Sequence, residues 1–259
     1  MKTATDFDLP WQTAAPGPAV ILDRITLSIG ARPLFADLSL RLEGGRTTCL
    51  LGPSGCGKST LLKLIAGSGR LPFTGSLRFE PRETGNEVAW MGQNDLLLPW
   101  LSLLDNVLLG ARLRHELSED RRQLARRLLS AAGLGDDEQV LPGALSGGMR
   151  QRGALLRTLM EGRRVVLMDE PFSALDALTR MRLQDLAAGM IRGRTVVLVT
   201  HDPLEALRLA DRIVVLAGAP AGVAADLQPA GRPPRDPGTP EIARQYARLL
   251  ALLMNGDAP

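Results

Sequence analysis

Aromatic side chains are scarce in this chain of 259 residues: five Phe, three Trp and one Tyr, 3% in all. A protein that holds single-stranded nucleic acid by stacking its bases needs more of them, set among its cations. Cysteine is almost absent. Cys49 and Cys56 stand alone, and the text between them reads as strand, loop and helix start. That excludes a disulfide framework and fits a reducing compartment. No run of about 18 apolar residues occurs, so no membrane-spanning helix is expected. Residues 1–19 lack the apolar block of a signal peptide and carry Asp6 and Asp8, which points to a soluble, cytoplasmic protein. Charge of one sign never accumulates into a block; basic and acidic residues nearly balance at a net +3, which excludes a polyanion-binding stripe.

What is present is a core. Hydrophobic residues make up 45% of the chain, enough for one large domain or a core with a smaller lobe inserted. Residues 1–19 read as a loose leader. Short β-rich runs follow, AVILDRITLSI, LFADLSLRL and TTCLL, separated by Pro33 and Gly44-Gly45. SLRF and EVAWM continue the strand text over 75–91. Leucines at helical spacing predict helix over 103–133, with Ser118 as an N-cap ahead of Glu119 and Asp120. A helix is expected after Gly147, then the strand VVLM, a helix over about 176–192, the strand TVVLVT, a short helix and the strand RIVVL. Continuous Val/Leu strands between helices are the pattern of parallel strands covered on both faces. Residues 218–240, rich in Pro, Gly and Ala, read as a linker or irregular segment. A final amphipathic helix is predicted over about 240–253.

Three motifs carry chemistry. The first is GPSGCGKST, comprising Gly52, Pro53, Ser54, Gly55, Cys56, Gly57, Lys58, Ser59 and Thr60. It lies between a strand and a helix and fits the phosphate-loop pattern. Its glycines let backbone amides approach a polyphosphate, and the helix dipole points at the same anion. Lys58 is expected to reach the β- and γ-phosphates and the Ser59 hydroxyl to coordinate Mg²⁺. Almost every cation in the chain is arginine, so a compact ammonium here argues for a chemical requirement. Cys56, inside the loop at a helix start, is either a reactive thiol that nucleotide protects or a small residue tolerated at a variable position.

The second motif is VVLMDE, an apolar strand ending in two carboxylates. Asp169 is placed to contact the metal and Glu170 to polarise an attacking water. The third is LSGGMRQR. Ser146, Gly147 and Gly148 at a helix start make a second anion cradle. One phosphate loop has no use for a second cradle in its own chain. Two chains arranged head-to-tail do, each presenting its cradle to the other's γ-phosphate.

With these motifs in this order, the chain resembles the nucleotide-binding subunits of ABC transporters over roughly residues 20–216. The resemblance implies an α/β phosphate-loop ATPase core (about 20–217) with an antiparallel β-subdomain and an inserted helical subdomain (about 94–160). Residues 218–259 would be a linker and C-terminal helix. It implies ATP and Mg²⁺ as cofactors and a second copy of the chain as partner in an ATP sandwich. Gln93 would be the loop glutamine sensing the metal and the γ-phosphate. SALD (173–176) would cross the dimer, with Asp176 its acid. His201, at the end of TVVLVT, would contact the γ-phosphate from the same sheet edge as Asp169 and Glu170. His115 carries no implied role.

QNDLLLPWLSLLDNVLLG (93–110) is similar to the nitrate, sulfonate and taurine importer group. With THDPLEALRLADRI (200–213) it most resembles ATPases that serve import of the hydroxymethylpyrimidine precursor of thiamine. Membrane permease subunits, a solute-binding protein and the cytoplasmic face of the inner membrane follow as implied partners and location. The apolar LLLPWLSLL, interrupted by Pro99, is expected to form part of the permease-docking surface. The chain departs from the family where adenine usually stacks on an aromatic: by alignment of ITLSIG that position holds Ile29. Either the base lacks a stacking partner or Trp11 or another leader residue folds over it. Two other readings stay open at this stage, a non-transport ABC ATPase acting as an ATP-switched regulatory module and an unrelated phosphate-loop kinase, which leaves the second cradle unexplained.

Overall fold

The computed structural model describes Leu9, Trp11 and residues 15–69, 71–81 and 88–256. The β-rich text between residues 19 and 80 forms a three-stranded antiparallel sheet. β1 (Ala19–Ile29) pairs with β2 (Arg32–Leu42) on one side and β4 (Phe73–Glu80) on the other. Alternation along β1 and β2 buries Leu22, Ile25, Leu27, Phe35 and Leu40 on one face.

The continuous apolar strands build the second sheet. β5 (Val88–Met91), β6 (Val165–Asp169), β7 (Thr195–Val199), β3 (Thr47–Leu51) and β8 (Arg212–Ala217) run parallel in that spatial order. β3, β6 and β7 are buried along their full lengths, as strands covered on both faces must be. α1 (Lys58–Ile65), α6 (Ala177–Met190) and α7 (Pro203–Leu209) supply crossovers.

Three expectations need correction. The stretch 103–133 is not helical throughout. It breaks into α2 (Leu103–Val107), α3 (Leu109–Leu113) and α4 (Glu119–Ala131). His115 takes a left-handed φ of 57° just past α3, a conformation His tolerates better than most residues. Ser118 then caps α4 as predicted, accepting from the Arg121 amide. Together with α5 (Gly147–Met160), these helices make the inserted lobe, whose leucines join the larger core cluster.

The segment 218–240 is not merely a linker. It holds β9 (Gly222–Leu227), an antiparallel edge strand on β8. It then wraps around buried Arg235, whose Nη1 donates to the carbonyls of Leu207 and Ala210, Nη2 to Pro229 and Gly231, and Nε to Ala230. Every guanidinium nitrogen is thus engaged, which offsets the burial that pulls its pKa down. α8 (Pro240–Gly256) follows as expected, burying Ile242 and Leu249.

The leader is not loose where it is described. Leu9 lies in the core, and Trp11 packs against Gly162. For residues 1–8, 10 and 12–14 the expectation lies outside the described residues.

One buried side chain organises the entry to the helical lobe. Asn106, fully buried, accepts from the Leu98 amide at 2.7 Å and donates to the carbonyls of Leu98, Leu101 and Ser102. Removing it takes the side-chain partner from the Leu98 amide and the Leu101 carbonyl, whereas the Leu98 and Ser102 carbonyls keep backbone donors, at about 1–3 kcal/mol for a buried group left unpaired. Asn106→Ala is expected to lower stability by that order, measured by urea unfolding; an unchanged midpoint would contradict this role.

Candidate functional site

The phosphate loop leaves β3 at Gly52, where φ is 145° and an added Cβ would collide with the Leu216 carbonyl oxygen. Gly57, at φ 101°, caps α1, and a Cβ there would sit 2.7 Å from the Phe35 ring. Only glycine serves at either place. The loop thus passes tightly over β8 and under β2 before α1 begins.

Lys58 is buried, and its Nζ donates to the carbonyls of Gly52 at 2.6 Å and Pro53 at 2.8 Å. A cavity of about 420 Å³ opens over the loop, lined by Ser54, Gly55, Gly57, Lys58, Ser59 and Thr60 together with Gln93, Glu170 and Ile29. Gly52, Pro53 and Cys56 do not line it. The Cys56 side chain turns instead into the smaller core cluster and is only 7% exposed. That buried setting overturns the expectation of an accessible, reactive thiol.

β6 delivers Asp169 and Glu170 to the same edge. Asp169 is buried and accepts the Ser59 hydroxyl; burial pushes its carboxyl above the usual range, Ser59 opposes that shift, and the Glu170 charge adds to it. Glu170 holds a left-handed φ of 51°, costly for a residue with a Cβ, and its amide donates to the Val199 carbonyl. β7 brings His201 alongside, with Nδ1 3.4 Å from Glu170 Oε1. The turn beneath His201 is fixed by Asp202, which caps α7 and pairs with Arg180 at 3.3 Å. Farther into α7, burial raises the Glu205 carboxyl to about 8, helped by Asp202.

The residues predicted to meet Mg²⁺ supply oxygen donors only, which suits a hard cation. Ser59 touches Asp169, and a buried carboxylate with a raised pKa gains from a cation beside it, so these residues fit the ion.

Ser146, Gly147, Gly148 and Asp176 do not line this cavity. Ser146 caps α5, accepting from the Met149 amide at 3.2 Å, and Ser146 and Gly147 are exposed. Asp176 caps α6, and the Thr179 amide it accepts lowers its pKa. Ser146, Gly147 and Asp176 are open to solvent, and Gly148 lies close to the Ala174 carbonyl.

Ile29 lies at the cavity edge, 54% exposed, with Arg32 and Leu34. Trp11, packed on Gly162, is not among the lining residues and does not cover a base there; for most other leader residues that expectation lies outside the described residues. The sequence reading also missed Gln151, whose amide joins α5 to the turn after Glu170. Its only signal was its place within LSGGMRQR.

The model of a family described as ABC transporter matches residues 35–173, more than half of the chain. The chain belongs to the ABC transporter family. Among its relatives, the aliphatic sulfonates import ATP-binding protein SsuB 1 of Paracoccus denitrificans is 41% identical, covering 92% of this chain and 95% of that protein. An uncharacterized ABC transporter ATP-binding protein of Haemophilus influenzae is 42% identical over 84% of this chain and 91% of its own length. Among solved structures, the cassette MJ0796, dimeric in a post-hydrolysis state with ADP and Pi, shares 27% identity at a TM-score of 0.69. That match covers 82% of this chain and the whole of MJ0796. A second dimeric MJ0796 structure gives a TM-score of 0.70. This ABC protein therefore has the ABC ATPase fold and is an ATPase of that class, using ATP with Mg²⁺.

With Ile29 at the cavity edge, adenine would rest on an aliphatic face. Aromatic stacking is worth about 1–3 kcal/mol per base. Ile29→Tyr is therefore expected to tighten ATP binding by up to about tenfold, the factor for 1.4 kcal/mol. Wild type should prefer ATP over GTP only weakly. Fluorescence titration with both nucleotides checks this; strong ATP selectivity in wild type would contradict it.

Proposed function

We propose that this protein is the ATP-hydrolysing subunit of an importer that takes up a small organosulfonate-type solute through a separate permease, with a solute-binding protein delivering the cargo. The carrying observation is that one chain holds two unlike half-sites. A phosphate-loop cavity lined by Gln93 and Glu170, with Asp169 bonded to Ser59, is separate from the Ser146–Gly148 cradle, which is exposed at Ser146 and Gly147 and does not line it. In a head-to-tail pair each cradle would close the other chain's cavity, making two composite sites.

In that reading the amides of 52–60 and Lys58 hold the triphosphate. Its Lys58 contacts, the Gly52 and Pro53 carbonyls, exchange for phosphate oxygens. Ser59, Gln93 and Asp169 would hold Mg²⁺, which supplies charge neutralisation on the β- and γ-oxygens when bound. Glu170 polarises the attacking water as general base. His201, beside Glu170, contacts the γ-phosphate. Asp176 and its neighbours signal across the pair.

The docking surface for the permease follows from the apolar run after Gln93. Leu97, Leu103 and Leu104 are buried, whereas Leu96 is 57% and Trp100 70% exposed. The Asn106 bonds hold that loop with Trp100 outward. An apolar surface held rigidly in water is a partner site, which favours a transport subunit over a stand-alone regulatory ATPase. Among the described residues no helix is long and apolar enough to cross a membrane, so membrane attachment would be peripheral, at the cytoplasmic face and through the permease.

Support for the sulfonate class comes from the relatives' names. The thiamine-precursor specificity suggested by residues 93–110 has no counterpart among the relatives named above, and none of the site residues touches the transported solute. Uptake by a deletion strain supplied with alkanesulfonates as sole sulfur source tests the class; normal growth without the gene would contradict it.

Glu170→Gln is expected to cut phosphate release by about 10²–10⁴-fold with ATP binding retained; wild-type turnover would refute the base assignment. Trp100→Ala should leave the melting temperature and the isolated subunit's ATPase near wild type while reducing co-purification with the permease. If stability falls and assembly does not, the side chain serves packing instead.

A further inference from the structure

We propose that Gln151 is a positioning residue that locks the backbone of Glu170 to the 173–176 segment, so that hydrolysis depends on how α5 sits. The inference rests on the reading of Glu170 as the general base.

Gln151 lies on the second turn of α5, just past the Ser146–Gly148 cradle, and is buried. Its Nε2 donates to the Glu170 carbonyl at 3.0 Å and to Ser173 Oγ at 3.1 Å. Its Oε1 accepts from the Ala174 amide at 2.8 Å. The Ser173 hydroxyl closes the ring by donating to the same Glu170 carbonyl at 3.1 Å. An amide donor and two acceptors admit only one orientation of the side-chain amide, and both ends agree on it.

The placement matters because of what it holds. Glu170 sits at φ 51°, a conformation that persists only where its surroundings over-determine it. Its N–H is fixed by Val199 of β7, and its C=O by Gln151 and Ser173. The carboxylate direction follows from that backbone. The same helix touches the 173–176 segment a second time, since a Cβ on Gly148 would lie 3.2 Å from the Ala174 carbonyl oxygen. A shift of the cradle at the start of α5 is therefore carried by a rigid, buried amide to the peptide that aims Glu170. The fold alone would be served by any side chain filling this space. The three bonds go specifically to the turn bearing the base and to the segment facing the second copy.

The test is steady-state ATPase and nucleotide binding on the full chain for Gln151→Met, which keeps the length and removes all three bonds. Since misplacement of about 1 Å can cost about 10²-fold, kcat should fall roughly ten- to a hundredfold while the ATP Kd moves less than about twofold. Wild-type kcat in the folded variant overturns the proposal, as does a loss of kcat matched by an equal loss of ATP affinity. Should Gln151→Met fail to fold, Ser173→Ala decides: it removes one bond to the Glu170 carbonyl, and an unchanged kcat overturns the proposal. Glu170→Gln run in parallel separates the two levels. Normal turnover there overturns the base reading and this inference together; a dead Glu170→Gln beside an active Gln151→Met overturns the inference alone.

Discussion

The phosphate loop can leave β3 only because residue 52 has no side chain to strike the Leu216 carbonyl on β8. From that close passage the rest of the site follows. The loop is held against the sheet edge where β6 and β7 also end, so α1 begins with Lys58 and Ser59 facing Asp169. The parallel strands do the remaining alignment. Their hydrogen-bonded register sets Asp169 beside Val199, and the residues that follow, Glu170 and His201, meet at one edge. A buried parallel sheet is stiff because every strand is packed on both faces. Polar groups placed at its edge therefore need little further support to stay aligned.

α5 ties the helical lobe to that edge on its catalytic side. Arg150 pairs with Asp95 at 3.0 Å, and Arg157 donates to the carbonyls of Asp95 and Leu96. Those bonds grip the loop after Gln93, and Gln151 grips the turn after Glu170. The helix thus contacts, through different side chains, the loop that carries the exposed Trp100 and the turn that carries the proposed base. Under the transport reading, that is a mechanical route by which a permease pushing on residues 96–100 could be felt at Glu170.

The strands of the large sheet were legible because VVLMD and TVVLV can be nothing but buried strands between turns, and the phosphate loop because its residue types admit few other uses. The edge strand β9 was not. GVAADL carries only Val223 and Leu227 as large apolar residues, and none of its residues is fully buried, as an edge strand half open to solvent allows. The irregular stretch after it is ordered by Arg235, and a single arginine bonded to backbone carbonyls leaves no periodic trace. The start of α4 was marked by its Ser118 cap, but the break between α2 and α3 was hidden because helical spacing of leucines survives a bend. The inward turn of Cys56 depends on loop φ angles that composition does not encode. Gln151 was overlooked because its importance lies in long-range backbone contacts.

The central claim is that the site is completed by a second copy of the chain. It is tested most directly by sedimentation of Glu170→Gln with MgATP, with and without an added Ser146→Arg. The account predicts an ATP-dependent dimer for Glu170→Gln, and a monomer that still binds ATP once Ser146 is also replaced. An ATP-dependent dimer that persists with Ser146→Arg, or no dimer in Glu170→Gln at saturating ATP, would contradict it.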